Sequence, residues 1–155
     1  MKSQENSKVV VLAPLTGKAV ALTEVPDEVF SEKVLGDGIA IIPEDGKIVS
    51  PVDGTISTVA ETGHAYGFTS NDGLEILVHV GLETVSLNGE CFKVHVKPGD
   101  KVKAGDLVAE VDLAYLKEKN INSITPVLIC SDMEEKELIY TNGKVKAGTS
   151  TVLEI

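Results

Sequence analysis

The sequence contains no arginine and no tryptophan, and its 14 basic residues, all lysines, are outnumbered by 24 acidic ones. The formal charge of −10 argues against nucleic acid as a partner, because a phosphate backbone is bound by a basic face. Without guanidinium groups, any phosphate on this chain must be held by lysine, imidazole, hydroxyl or backbone N–H groups. An acidic surface is suited to a basic patch on another protein, although solvation alone also explains an acidic excess.

Long apolar runs are also absent, and cysteines are few. No run approaches the roughly 20 apolar residues that a membrane-spanning helix requires, so we expect no membrane insertion. Residues 1–8 are polar, without the apolar segment of a signal peptide, which predicts a flexible N-terminal tail ahead of a single domain over residues 9–155. Cys91 and Cys130 form no CxxC pair, which favours a reducing, cytoplasmic compartment.

The chain is built from short β-rich runs separated by glycine, proline, aspartate and asparagine. Such runs predict an all-β fold, an antiparallel β-sandwich or barrel with at most short helical turns. Asp112–Lys119 is the one segment predicted to be helical, with Asp112 as its N-cap. The predicted strands are Val9–Leu12, Lys18–Leu22, Gly38–Pro43, Lys47–Ser50, Thr55–Ala60, Leu74–Val80, Phe92–Val96, Leu107–Val111, Val127–Cys130, Lys136–Tyr140 and Thr151–Ile155.

Two short stretches of the sequence each occur twice in related form. Pro14–Val20 is matched by Pro51–Ser57, and Gly99–Gly105 is matched by Asn142–Gly148. Two motifs used twice indicate two intertwined halves with related turns, since a solenoid needs at least three units at one period. We therefore predict an internal pseudo-duplication within the β fold.

The most informative stretch begins with Leu74–Val80, which has the apolar, branched composition of a strand packed on both faces and yet contains His79. Alternation along a strand places His79 on one face with Leu77, and Val78 on the other. The carbonyl of Gly81 is then close enough for one ring nitrogen to hold it while the other nitrogen points outward as a nucleophile. A core histidine with a single backbone partner is the alternative that this stretch alone leaves open.

The second candidate, His64, follows a predicted strand and lies in a glycine-rich stretch where a side chain can be aimed. The hydroxyl of Thr62, two residues earlier, can share its face and fix its orientation. His95, by contrast, alternates with apolar residues at a strand end, and we interpret it as a solvent-facing residue without a role.

Two histidines allow three chemistries. Serine or cysteine nucleophilic catalysis is disfavoured because there is no G-x-S-x-G elbow, and a built metal site is disfavoured because neither H-x-H nor H-E-x-x-H occurs. The third chemistry is a phosphoryl group carried on one imidazole nitrogen, with the second imidazole donating a hydrogen bond to it, and it does not need arginine. No metal cofactor is required, and zinc, if it binds, is expected to bind weakly at His64 and His79.

With these features, the sequence resembles the glucose-class enzyme IIA of the bacterial sugar phosphotransferase system. The resemblance extends from about Val9 to Ile155 and is most specific over Gly73–Leu87. The other matching stretches are Ala13–Gly17, Val25–Asp27 with the exposed-looking pair Val29 and Phe30, Gly36–Gly38, Pro51–Thr55, and Thr62 with His64 and Ala65.

The resemblance implies a phosphotransferase with a β-sandwich fold, built on a duplicated hybrid motif, and a shallow active-site depression. It implies that His79 is phosphorylated on Nε2 while its Nδ1 donates to the carbonyl of Gly81, and that His64, held by Thr62, supports transfer. The group would come from the histidine-containing phosphocarrier protein and go to a cysteine of a IIB domain of a sugar permease. The residues implied to bind partners are acidic Asp27 and Glu83, apolar Val29, Phe30, Val78 and Val85, and Gly81.

Three other functional interpretations compete with the phosphoryl carrier. A biotinyl or lipoyl carrier uses a turn like Val96–Leu107, but it needs a lysine displayed at a hairpin tip, which is missing. A zinc peptidase with a related duplicated β fold would require an H-x-H, which is also missing. A regulatory module that binds transporters or kinases through the same face stays open.

Overall fold

The computed structural model describes residues 10–82, 84, 90–130 and 138–155. The predicted tail over residues 1–8 lies outside the described residues, and so do Glu83 and Val85. The elements are β1 (Val10–Leu12), β2 (Gly17–Ala21), a 3₁₀ turn (Leu22–Glu24), α1 (Glu28–Ser31), β3 (Asp37–Pro43), β4 (Lys47–Val49), β5 (Gly54–Val59), β6 (Ala65–Ser70), β7 (Glu75–His79), β8 (Phe92–Val94), β9 (Lys101–Val102), β10 (Leu107–Val111), α2 (Leu113–Glu118), β11 (Thr125–Ile129), β12 (Ile139–Tyr140), β13 (Gly143–Val145) and β14 (Thr151–Glu154).

The strands form one large and two small antiparallel sheets. The eight-stranded sheet has the order β9-β5-β6-β7-β11-β3-β2-β13, and the three-stranded sheets have the orders β4-β10-β8 and β12-β14-β1. The main hydrophobic core contains residues from all three sheets, among them Ile48, Tyr66, Val78 and Leu153. The predicted all-β antiparallel sandwich is confirmed, and strand β7 lies near the middle of its large sheet.

The two repeated motifs occupy equivalent positions in the large sheet. The first motif starts β2 and β5, each second from an end, and the second motif forms the edge strands β9 and β13. The contacts repeat as well: the Ala104 N–H donates to Asp53 Oδ1 at 2.8 Å, and the Ala147 N–H donates to Thr16 Oγ1 at 3.0 Å. The predicted pseudo-duplication is thus visible in both strand order and turn chemistry.

The two halves meet at a pair of equivalent glycines. A methyl group added at Gly148, where φ is +71°, would lie 3.0 Å from the Cα of Gly105. A side chain at position 148 would therefore press on the Gly105 backbone. A Cβ at Gly105 would make only ordinary contact with Gly148, at 4.0 Å, and it is the φ of +95° that favours glycine there.

The helices are short, and one of them was not predicted. Helix α2 is capped by the Asp112 carboxylate, which accepts from the Tyr115 N–H at 3.1 Å, as predicted. Helix α1 is a single turn capped by Asp27, in a segment whose conformation the sequence pattern leaves open. In the described part of the chain, no helix has the length and apolar character needed to cross a membrane.

Candidate functional site

Strand β7 presents His79 on the face of the large sheet that the alternation predicts. Ile76 and Val78 are buried on one face, whereas Leu77 and His79 are only partly buried on the other. Leu77 packs against a second, smaller core cluster that includes Phe30, Leu82 and Leu128. His79 therefore lies where a strand leaves the sheet, beside a small apolar cluster.

The ring of His79 is anchored through Nδ1, which donates to the carbonyl oxygen of Gly81 at 2.9 Å. Because a carbonyl oxygen only accepts, this hydrogen bond places the proton of the neutral ring on Nδ1. The lone pair is then on Nε2, which is the nucleophilic nitrogen. The hydrogen bond that the spacing of His79 and Gly81 predicted is present.

Gly81 adopts a conformation that few other residues tolerate. Its φ is +77°, in the left-handed region, and an added Cβ would lie 2.6 Å from Thr84 Cγ2 and 3.1 Å from the Asn122 carbonyl oxygen. The next residue is tied down as well, since the Leu82 N–H donates to that same Asn122 oxygen at 2.9 Å. The carbonyl that holds His79 is thereby fixed from both sides.

Thr84 is a supporting residue that sequence reasoning missed. It is completely buried, and its hydroxyl donates to the carbonyl oxygen of Val80 at 2.7 Å. A buried threonine is satisfied here by closing the turn that contains Gly81. A hydroxyl residue five positions after a strand histidine was the only signal in the sequence, and it is not specific.

His64 is placed beside His79 by the pairing of β6 with β7. Ala65 lies opposite His79 in the register, and the Val80 N–H donates to the His64 carbonyl oxygen at 2.7 Å. A hydrogen bond of 2.5 Å joins Thr62 Oγ1 and His64 Nδ1, so Thr62 orients the ring as predicted. The two imidazole centroids are 5.0 Å apart at an interplanar angle of 76°. A group bonded to one ring is within reach of the other.

The surroundings favour the neutral form of both imidazoles. Burial lowers the pKa of His64, and the nearby His79 lowers it further. Burial also lowers the pKa of His79, and this outweighs the raising influence of the Gly81 hydrogen bond and of Asp27. A neutral imidazole has a free lone pair at physiological pH, which both nucleophilic attack and metal binding require.

One border of the site is the segment that contains α1. Asp27 Oδ1 caps α1 by accepting from the Val29 N–H at 3.0 Å, and its charge acts on His79. Val29 is 43% exposed. Val34 and Leu35, which follow α1 in the chain, are 69% and 46% exposed, and sequence reasoning did not single them out. The border thus combines a carboxylate with exposed aliphatic side chains.

Two predicted rim residues are placed differently. Phe30 is only 5% exposed, because it packs into the smaller core cluster, and its ring centroid lies 5.1 Å from that of His79. It supports the histidine from the side instead of forming an exposed rim. The prediction that Val78 forms part of the rim is wrong: alternation along β7 turns it away from His79 into the main core, where it is 0% exposed.

The third histidine, His95, lies at one of the small sheets. His95 is exposed and its Nε2 lies 2.9 Å from Glu110 Oε1, on the small sheet that contains β8 and β10.

Within the described ranges, no group of three or more histidine, cysteine, aspartate or glutamate side chains is arranged to hold a metal ion. His64 and His79 therefore supply two metal ligands at most from that part of the chain.

The chain matches one protein family and is similar to several known proteins. Residues 9–135 match the family described as phosphoenolpyruvate-dependent sugar phosphotransferase system, EIIA 1. The chain is 42% identical over 158 residues to the glucose-specific EIIA component of this system from Oceanobacillus iheyensis. This match covers 100% of this chain and 94% of that protein. It is also 46% identical over 144 residues to the glucoside-specific EIICBA component of Staphylococcus carnosus.

That second relative is much longer than this chain. The match covers 93% of this chain but only 21% of the Staphylococcus carnosus protein. The chain thus spans about a fifth of the length of that relative. Among solved structures, the glucose permease IIA of Mycoplasma capricolum superposes with a TM-score of 0.89, at 38% sequence identity, over 99% of each chain.

Proposed function

This chain belongs to the EIIA 1 family of the phosphoenolpyruvate-dependent sugar phosphotransferase system, and on that premise we propose that it carries a phosphoryl group on Nε2 of His79. The observation that carries the proposal is the hydrogen bond from His79 Nδ1 to the Gly81 carbonyl oxygen. It leaves Nε2 unprotonated and fixes the direction in which the lone pair points. Family membership also removes the biotinyl or lipoyl carrier and the zinc peptidase as alternatives.

The donor we propose is the histidine-containing phosphocarrier protein. The Nε2 lone pair of His79 attacks the phosphorus of the donor's phosphohistidine, and the donor's P–N bond breaks as the new N–P bond forms. The electron pair of the broken bond returns to the donor's imidazole. The proton on Nδ1 of His79 stays in place and continues to donate to Gly81, which stabilises the phosphorylated ring.

The acceptor we propose is a cysteine of a IIB domain, whose thiolate attacks the same phosphorus from the side opposite His79. Relatives named EIICBA components carry the EIIA region within a longer permease chain, which supports a IIB domain as the partner. The N–P bond to His79 breaks as the S–P bond forms, and His79 returns to its neutral state. Sugar uptake and phosphorylation at the permease would follow, and the cytoplasm is the compartment where all these partners meet.

His64 is proposed to assist both transfers as a hydrogen-bond donor. When the Thr62 hydroxyl donates to Nδ1 of His64, the ring proton is on Nε2, and this N–H is free to donate to the phosphoryl oxygens. The centroid separation of 5.0 Å puts the ring beside the group carried by His79. A positioned donor of this kind stabilises charge that develops on the oxygens during transfer.

The surface around α1 is proposed to receive the partners. Asp27 supplies a negative charge for a basic side chain of the donor, and exposed Val29, Val34 and Leu35 supply apolar contact area. The same exposed side chains favour a second use, in which the unphosphorylated protein docks on and regulates transporters or kinases. Both uses occupy one face, so a phosphoryl group on His79 would decide between them.

The proposal is tested by intact-protein mass spectrometry after incubation with phosphoenolpyruvate, the general phosphotransferase enzyme and the phosphocarrier protein. We expect a mass gain of one phosphoryl group that is lost in acid, as expected for a phosphohistidine, and discharged by a IIB domain. A protein that gains no mass with active donor present, or whose label survives acid, contradicts the proposed carrier function.

Removing the charge of Asp27, at the border of the site, and of Glu83, which the resemblance assigns to partner binding, should slow docking. We expect Asp27→Asn combined with Glu83→Gln to reduce the rate of phosphorylation by the donor about threefold to tenfold at low salt. The loss should shrink as salt is added, because screening removes the steering that the carboxylates provide. Asparagine still caps a helix, so α1 is kept. The measurement is the initial rate of phosphorylation at several salt concentrations.

Asp112→Asn is the matched control for this experiment. Asp112 caps α2 in the same way that Asp27 caps α1, on a helix that carries no site residue. We expect it to leave the rate and its salt dependence unchanged. Equal rates for the double variant and the parent at low salt would show that these carboxylates do not steer the donor.

Zinc binding is proposed to be weak and to compete with phosphorylation. His64 and His79 offer two of the four ligands of a tetrahedral site, so water or a partner's carboxylate must supply the others. The phosphoryl group uses Nε2 of His79, which the metal would also need. Calorimetric titration of zinc into the two forms should give a clearly lower affinity for the phosphorylated protein. Equal affinities would place the zinc elsewhere on the chain.

A further inference from the structure

Tyr66 is a fully buried phenol directly beneath the loop that contains His64. It is 0% exposed and, together with Phe68, points into the main core from β6. In the sheet register it lies between Val59 of β5 and Val78 of β7. A phenylalanine would fill the same apolar space without burying a polar group. The buried hydroxyl of Tyr66 therefore needs a hydrogen-bond partner.

The hydroxyl of Tyr66 donates a hydrogen bond to the carbonyl oxygen of Gly63. Gly63 is itself buried and adopts a left-handed φ of +72°. Its N–H donates to the Ala60 carbonyl oxygen at 2.8 Å. Both polar backbone groups of this glycine are therefore satisfied, one by its own turn and the other by a side chain that reaches up from the core.

The Gly63 carbonyl is part of the peptide that leads directly into His64. Holding that oxygen fixes the plane of the peptide, and with it the direction in which the His64 side chain leaves the backbone. On the other side of the residue, the Val80 N–H holds the His64 carbonyl at 2.7 Å. Thr62, the residue before Gly63, holds Nδ1 of the ring. The phenol thus completes a set of three contacts that orient one imidazole.

We propose that Tyr66 is a positioning residue for His64, whose hydroxyl keeps the imidazole aimed at the phosphoryl group on His79. This inference rests on the proposed phosphoryl transfer at His79, but the orientation it describes exists in the unphosphorylated protein. Burial raises the pKa of the Tyr66 phenol far above the range in which the protein works. The hydroxyl therefore keeps its proton, and its ability to donate, at every relevant pH.

Tyr66→Phe separates positioning from packing, because it removes the hydroxyl and keeps the ring. We expect the transfer from phosphorylated His79 to the IIB domain to slow about fivefold to tenfold, the factor expected for one lost positioning hydrogen bond. In a His64→Gln background, the same change should slow transfer by less than about twofold, because the ring that it positions is absent. Equal slowing in both backgrounds would overturn the proposal.

A second readout needs no phosphorylation. In ¹⁵N NMR spectra of the two imidazole rings at one fixed pH, Tyr66→Phe should shift the Nδ1 resonance of His64, because the contact with Thr62 Oγ1 is disturbed, and leave the Nδ1 resonance of His79 unchanged. A general loosening of the core would shift both resonances, and an unaltered His64 resonance would contradict the positioning role. If the parent protein accepts no phosphoryl group, the proposed function fails, and these spectra still decide whether Tyr66 orients His64.

Tyr115→Phe is the matched control for both measurements. The Tyr115 hydroxyl donates to Glu90 Oε1 at 2.9 Å on an exposed part of the chain, so the change removes a phenol hydroxyl away from the site. We expect neither the transfer rate nor the Nδ1 resonance of His64 to change. A loss equal to that of Tyr66→Phe would assign the effect to general stability and overturn the proposal.

Discussion

Replacing His79 by alanine is expected to abolish phosphorylation of the protein by its donor. His79 is the residue whose Nδ1 is tied to the Gly81 carbonyl, so its Nε2 is the nitrogen left free and aimed for attack. His64→Gln should instead leave a protein that accepts the group but passes it on about a hundredfold more slowly, the usual cost of one lost donor to a charged transition state. Acid-labile label and its discharge to a IIB domain measure the two steps separately.

His95→Ala provides the control for a histidine outside the site. Its ring pairs with Glu110 on an exposed surface, and we expect both acceptance and discharge to proceed at the parent rate. If the His64 variant took no label while the His79 variant did, the proposed roles of the two histidines would be reversed.

Gly81→Ala is expected to damage both folding and acceptance of the phosphoryl group. Alanine at a φ of +77° is strained, and its Cβ would overlap Thr84 Cγ2 at 2.6 Å, so the free energy of unfolding should fall by about 3 kcal/mol. Because Thr84 is buried and hydrogen-bonded to Val80, we expect the overlap to shift the Gly81 backbone and the carbonyl that holds His79. We expect the rate of acceptance to drop about tenfold in protein that is still folded. Denaturant unfolding and the initial rate of labelling measure the two effects.

Gly73→Ala separates the backbone strain from the contact. Gly73 has a similar φ of +87°, but an added Cβ there meets no atom within 4 Å. It should lose about 1 kcal/mol of stability and none of the acceptance rate. If Gly81→Ala behaved in the same way, the close packing around the Gly81 carbonyl would have no part in holding His79.

The faces of β7 could be predicted from the sequence, because alternation in a strand buried on one side leaves little freedom. The spacing of His79 and Gly81, and of Thr62 and His64, likewise corresponds to the hydrogen bonds that the structure contains. In each pair the two residues are only two positions apart, so the sequence places them within hydrogen-bonding range, while distant residues such as Asn122 hold the turn in place.

The features that could not be predicted depend on residues far apart in the sequence. Strand β6 was missed because Gly67 interrupts its pattern, yet it is fixed by strands on both sides. Phe30 looked exposed next to Val29, and its burial comes from a cluster that also contains Leu82 and Leu128. Assigning Val78 to the rim contradicted the alternation of its own strand. In that case the local rule was right and the assignment by resemblance was wrong.

The pairing of β7 with β11 also has a consequence for how the protein is made. Both histidines are synthesised before β11, which supplies one neighbour of β7, and before Asn122, which holds the turn after Gly81. At about 5–20 residues per second, a nascent chain spends several seconds with both imidazoles synthesised but one side of β7 unpaired. A nascent chain that ends before Asn122 therefore lacks the hydrogen bond that holds the turn after Gly81.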